Sequence, residues 1–187
     1  TARAAVTVDM RSGGRLSLGV GVGWLRAEWD AVGLDFDRRG ARVDEALAVC
    51  RRLWSEPVVE HHGEFFDFGP VAFEPKPVRP GGPDVHIGGD GPAALRRAAT
   101  VGTGWMPMNH TLDDLPRSLA RLSELAERAG RTDPIEVTLA VDDVRTPTDV
   151  ERYAEAGVTR LIVTPWTRSR DASDGMRRFA ETVLAQA

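Results

Sequence analysis

The stretch Leu16-Ser17-Leu18-Gly19-Val20-Gly21-Val22-Gly23-Trp24 decides how the chain is read. It is an apolar run in which every second residue from Gly19 to Gly23 is glycine. Side chains alternate between the two faces of a strand, so the three glycines are expected to share one face. A face without side chains lets another group approach the backbone closely. Trp24 closes the run, and the helix formers Arg26-Ala27-Glu28-Trp29 follow it. Two readings stay open. A flat ligand lies against the end of a sheet, or the glycines relieve crowding inside a barrel.

Working outward, residues 1–12 read as the end of a helix stopped by Gly13-Gly14. A short helix is expected over Arg26 to Val32, ended by Gly33. A longer one runs from Arg38 to Trp54, with Val43, Leu47, Cys50 and Trp54 at helical spacing. An excursion rich in proline, glycine and aromatics follows at about 55–84, with a hairpin turn at His62-Gly63. Then strands and helices alternate. Val85 to Gly89, Gly104 to Met108, Ile135 to Val141 and Arg160 to Thr164 read as strands. Helices start at Pro92, at a Thr111 cap, at Thr146-Pro147 and at Asp171 or Ser173, the last with Phe179, Val183 and Leu184 inward. With the glycine run this makes five βα-type strands, which argues for a parallel α/β sheet. A closed (β/α)8 barrel has eight strands and about 250 residues.

The 187 residues suffice for one domain with a sizeable core. A net charge of -4 and the lack of a basic stripe argue against a nucleic-acid partner. No apolar run reaches the roughly 18 residues of a membrane span, so no membrane partner is expected. Cys50 is the single cysteine, which leaves no internal disulfide, and it reads as a small core residue. These features suit a cytoplasmic protein.

Ile87-Gly88-Gly89-Asp90-Gly91-Pro92 joins a strand to a helix. Pro92 suits the first helical position, and a helix start offers unpaired N–H groups to a phosphate. The N–H groups of Gly89 and Gly91 are the expected donors. Asp90 opposes that reading if its charge points inward, and a plain capped turn is the alternative. Asn109, His110, Asp142, Asp143 and Trp166 also follow strand ends. His61-His62 lacks a third ligand at metal spacing, so no metal site is expected.

Several motifs together resemble the luciferase-like monooxygenase superfamily. They are Ser12-Gly13-Gly14-Arg15-Leu16, Gly19 to Trp24, Arg38-Arg39-Gly40, Asp44-Glu45 and Leu53-Trp54. His62-Gly63-Glu64-Phe65-Phe66, Pro75-Lys76-Pro77, Ile87-Gly88-Gly89, Leu95 to Ala99 and Gly102-Thr103-Gly104-Trp105 add to them. The branch most similar is that of probable oxidoreductases using coenzyme F420, a deazaflavin. The resemblance implies a TIM-like (β/α)8 barrel, present here as an incomplete barrel of five parallel strands without the N-terminal ones. It implies a cofactor ring near Val22 and Gly23, with the cofactor tail at Gly88, Gly89, Gly91 and Pro92.

On this reading Trp24 walls a pocket for a small-molecule substrate, and His110 or Trp166, which follow strand ends, line it. The resemblance also implies a homodimer. Family members carry further residues ahead of a segment like Thr1, so the chain reads as a fragment, a trimmed form or a truncated product. Trp24 stands where the sugar-phosphate dehydrogenase branch has a catalytic glutamate, which puts that activity in doubt and leaves the catalytic residue unknown. The expected function is hydride transfer between F420 and a small organic substrate. The rivals are an FMN-dependent monooxygenase and a non-catalytic binding or assembly domain.

Overall fold

The computed structural model describes residues 1–186 of the chain, which divides into two compact units, Thr1–Val85 and a second beginning at His86. In the first unit, α1 (Ala2–Ser12) ends at Gly13, whose φ of 64° is the left-handed cap a helix end favours. The strand β1 (Ser17–Val20) is shorter than expected. Gly21 lies beyond it, and Gly23 has a φ of 77°. The alternation therefore does not run through to Gly23. A Cβ there would stand 2.8 Å from the Trp29 indole nitrogen, so this glycine serves a turn packed on Trp29. At Gly19 and Gly21 a Cβ would meet nothing within 4 Å, so neither relieves crowding.

Helices α2 (Arg26–Ala31) and α3 (Arg39–Ser55) follow, the second burying Leu47, Val49 and Trp54. Cys50 is half-buried rather than fully enclosed, and burial pushes its thiol pKa up. The hairpin pairs β2 (Val58–His62) antiparallel with β3 (Asp67–Ala72), as the His62-Gly63 turn implied.

The excursion at 55–84 is tied down along its length. Lys76 Nζ donates to the carbonyls of Leu53 and Glu56 at the end of α3. The Val78 N–H donates to the buried carboxylate of Asp9 on α1 at 2.9 Å. Arg79 donates to the Leu16 carbonyl and to Asp84. Glu45 on α3 organises the hairpin turn. Its carboxylate accepts from the N–H groups of Glu64, Phe65 and Phe66 and lies 3.0 Å from His61 Nε2.

β4 (Asp84–Gly88) leads into the second unit, through α4 (Pro92–Thr100), β5 (Gly104–Met106), α5 (Leu115–Arg128), β6 (Glu136–Val141), α6 (Pro147–Glu155), β7 (Arg160–Val163) and α7 (Ala172–Thr182). The main sheet has the order β1-β4-β5-β6-β7. β4 pairs parallel with β5, β5 with β6 and β6 with β7. The α/β fold is thus the expected five-strand parallel sheet of an incomplete TIM-like barrel, with no reversal of strand order.

Ile87, Trp105, Val137 and Leu139 from the strands meet Leu95, Ala98, Ala99, Leu115 and Leu122 from the helices among the buried residues of the second unit. α6 opens as expected at Thr146, with Asp149 completing a reciprocal capping box. Two expectations at helix ends fail. Thr111 is not the cap of α5. It donates its N–H to Asp114 and accepts from Leu115, which leaves Asp114 at the cap position and Leu115-Pro116 as the first helical residues. Leu184 lies past the end of α7 and is 61% exposed, whereas Val183 is fully buried. No helix among the described residues is long and apolar enough to cross a membrane.

Burial raises the pKa of Glu45, but the His61 contact and the N–H groups of Phe65 and Phe66 outweigh it and hold the carboxyl below its ordinary 4.5. A depressed carboxyl pKa gives stability that is present above the unfolded value and is lost as pH falls through the folded one. Glu45→Gln is therefore expected to lower the denaturation midpoint at pH 7. The gap to wild type should close as pH falls below the folded pKa, in urea melts at a series of pH values.

Candidate functional site

The strongest candidate site is the turn between β4 and α4. Gly88 ends the strand, Gly91 is the cap of α4, and Pro92 is its first residue. Gly89 has a φ of 119°, so an L side chain there is strained. The Gly89 N–H is not a ligand donor as expected, because it donates to the Met106 carbonyl at 3.1 Å. The Gly89 carbonyl accepts from the Trp105 indole N–H at 2.8 Å. The peptide plane is rigid, so the Asp90 N–H points away from the Trp105 side. The N–H groups of Asp90 and Gly91 have no acceptor among the described residues. A Cβ at Gly91 would meet nothing within 4 Å.

Asp90 does not oppose a phosphate here, because its carboxylate faces the loop after β5. It accepts from the Met108 N–H at 2.7 Å and from Asn109 Nδ2 at 3.1 Å. His110 joins this cluster. Its Nδ1 lies 3.3 Å from Asp90 Oδ1 and its Nε2 lies 2.8 Å from Ser118 Oγ on α5. Its ring stands edge-on to Trp105 at 5.2 Å. Nε2 is hydrogen-bonded to Ser118, while the buried Nδ1 lies near Asp90 without a hydrogen bond, so His110 packs the turn against α5.

A cleft of about 340 Å³ opens between the loops after β5 and β6. Its polar lining is His110, Asp113, Asp142, Asp143 and Arg152, with Tyr153 beside them. Tyr153 donates its hydroxyl to Asp143 at 2.6 Å, and Arg152 donates to the same carboxylate at 2.7 Å. Burial first, then the hydrogen bond to Asp143 and its charge, push the Tyr153 phenol up to about 12. At neutral pH this phenol stays protonated and acts as a clamp on Asp143. Trp166 lines a different cleft, beyond the end of β7.

A model of the luciferase-like monooxygenase family matches residues 1–183. The chain belongs to that family. It is 34% identical over 194 residues to an uncharacterised protein of Mycobacterium tuberculosis, covering 99% of this chain and 66% of the relative's length. An FMNH2-dependent dimethylsulfone monooxygenase of Pseudomonas putida is 25% identical over 164 residues, covering 86% of this chain and 44% of the relative. A coenzyme F420-dependent tetrahydromethanopterin reductase from Methanopyrus kandleri superposes with a TM-score of 0.78 at 18% identity. That match covers 99% of this chain and 78% of the reductase, and it shows the shared fold.

The remaining residues singled out from the sequence lie in the first unit. Val22 is half-buried, Gly23 holds the left-handed turn, and Trp24 is 82% exposed. Two further side chains were not singled out as site residues from the sequence. Trp105 holds the β4–α4 turn through its bond to the Gly89 carbonyl. His86, inside β4, lies 3.0 Å by Nδ1 from Thr138 Oγ1 and 3.2 Å by Nε2 from Glu136. Gly104 makes room for that imidazole, since a Cβ there would fall 2.6 Å from it. A histidine in the otherwise apolar Val85-His86-Ile87 was the one available hint.

Trp105→Phe keeps an aromatic ring but leaves the Gly89 carbonyl without its donor. It is expected to cost about 1–3 kcal/mol, read as a lower urea midpoint with an unchanged slope.

Proposed function

We propose that the protein is an oxidoreductase that moves a hydride between a deazaflavin of the F420 type and a small organic substrate. The turn at 88–92 carries this reading. It keeps two N–H donors at a helix start, has no side chain at Gly91, and turns its one carboxylate aside. These features fit the phosphate of a flavin-type cofactor, with Gly88, Gly89, Gly91 and Pro92 holding it. Val22 and Gly23 are assigned to the ring. Trp24, His110 and Trp166 are assigned to the substrate.

The bound cofactor supplies the hydride chemistry, and the chain supplies binding, orientation and electrostatics. Trp105 and Asp90 keep the turn in one conformation, which lowers the ordering cost of binding. Tyr153 and Arg152 hold Asp143 in place at neutral pH.

Membership of a family of oxidoreductases and monooxygenases supports an enzyme. FMN also carries a phosphate, so the turn serves either cofactor. The similarity to an FMNH2-dependent monooxygenase supports FMN as the second reading. A non-catalytic binding or assembly domain is the third reading. A homodimer of soluble subunits goes with the enzymatic readings.

Titration with F420 and with FMN, each followed by fluorescence quenching, together with oxygen uptake by the protein supplied with each cofactor in its reduced form, compared with the free reduced cofactor, separates these readings. F420 binding without oxygen uptake is the expected result. FMN binding with oxygen uptake selects the monooxygenase, and no binding of either selects the assembly domain. Gly91→Val adds a side chain where the fold has space, so it isolates close approach by the ligand. It is expected to weaken cofactor binding about tenfold or more, the loss of one charge-assisted hydrogen bond, with little change in melting temperature. An unchanged dissociation constant contradicts the assignment of the turn.

A further inference from the structure

The cleft beyond β7 differs in charge from the one beyond β6. It encloses about 300 Å³ and is lined by Arg145, Trp166, Asp171, Asp174 and Arg178 among others. Both acids have arginine partners that do not line it. Asp171 lies 3.8 Å from Arg170, and Asp174 lies 3.4 Å from Arg177. The two lining arginines have no such compensation. Arg145 donates to the Val144 carbonyl, and neither Arg145 nor Arg178 forms an ion pair among the described residues.

The wall of this cleft is held closely. Gly175 on α7 is buried, and a Cβ there would stand 2.5 Å from the Pro165 carbonyl oxygen and 3.1 Å from Trp166 Cβ. Only glycine lets α7 come so near the segment that carries Trp166. The result is an indole beside two uncompensated guanidiniums, on the carboxyl-end side of the sheet where barrels of this type place their ligands.

We propose that this cleft binds the anionic group of a small organic molecule, a phosphate or a carboxylate, with the flat apolar part against Trp166. Guanidinium groups bind both anions through paired N–H donors. The indole supplies apolar area and a ring face. As an assignment of substrate class, organic acids or phosphate esters, this rests on the oxidoreductase reading. The anion site itself does not.

The test is calorimetric titration of the protein without cofactor, using phenyl phosphate, benzoate and the neutral benzyl alcohol. One or both anions should bind, and benzyl alcohol should not. The stronger of the two anions identifies phosphate or carboxylate as the natural group. Arg145→Gln and Arg178→Gln should each weaken binding about tenfold. Arg128→Gln, at the end of α5 and outside the cleft, should leave it unchanged, and circular dichroism checks that all three variants fold. Trp166→Leu should reduce the preference for phenyl phosphate over inorganic phosphate. Equal binding of the neutral probe, or unchanged affinity in the folded Arg145 and Arg178 variants, overturns the proposal. Because cofactor is absent throughout, failure of the cofactor assignment leaves this result readable.

Discussion

Gly89 is held through both its N–H and its C=O, and the candidate site depends on it. Its N–H joins the Met106 carbonyl, and its C=O takes the Trp105 indole proton. A planar peptide fixed at its carbonyl has no freedom in the direction of the next N–H. The Asp90 donor is therefore set before any ligand arrives. Trp105 is able to do this because it is fully buried on β5, the middle strand of the sheet. The same loop receives the Asp90 carboxylate at Met108 and Asn109 and packs His110 on the Trp105 ring. Strand end, turn and following loop thus form one braced piece, as a preorganised binding site requires.

Charge is distributed unevenly around the strand ends of the second unit. Beyond β6, Asp143 gathers Arg152 and Tyr153, and Asp113 and Asp142 stand nearby, so positive charge is used up within the protein. Beyond β7, the acids lie beside arginines outside the cleft, and the cleft's own arginines remain without an acidic partner among the described residues. This contrast arises in a chain whose net charge is negative. Local pairing, more than total charge, decides which anion or cation each cleft favours.

Much of the fold was legible because its signals are local. Gly13 and Gly33 take the left-handed conformations that end helices, and Thr146-Pro147 carries its cap and its first residue side by side. The strand-helix rhythm gave the parallel sheet. What escaped depends on contacts distant in sequence. Gly23 looked like part of a bare strand face, yet it is shaped by Trp29 and a positive φ. Asp90 looked repulsive to a phosphate, until the loop eighteen residues on supplied its partners. Gly89 looked like a donor, but its N–H continues the ladder to Met106. Leu184 matched the helical period of α7 and still lies outside, because the helix ends before it. The phosphate turn at 88–92 was read from its glycines and Pro92 and supported by resemblance to the family, and the arginines beyond β7 carried no sequence signal.

The most direct measurement follows the backbone amides of 88–93 by nitrogen-edited NMR while F420 is added. The account predicts large shifts at Asp90 and Gly91, with Gly89 nearly still because its proton is already bonded within the sheet. Shifts confined to Gly89, or no response anywhere in this turn while F420 binds elsewhere, would contradict it.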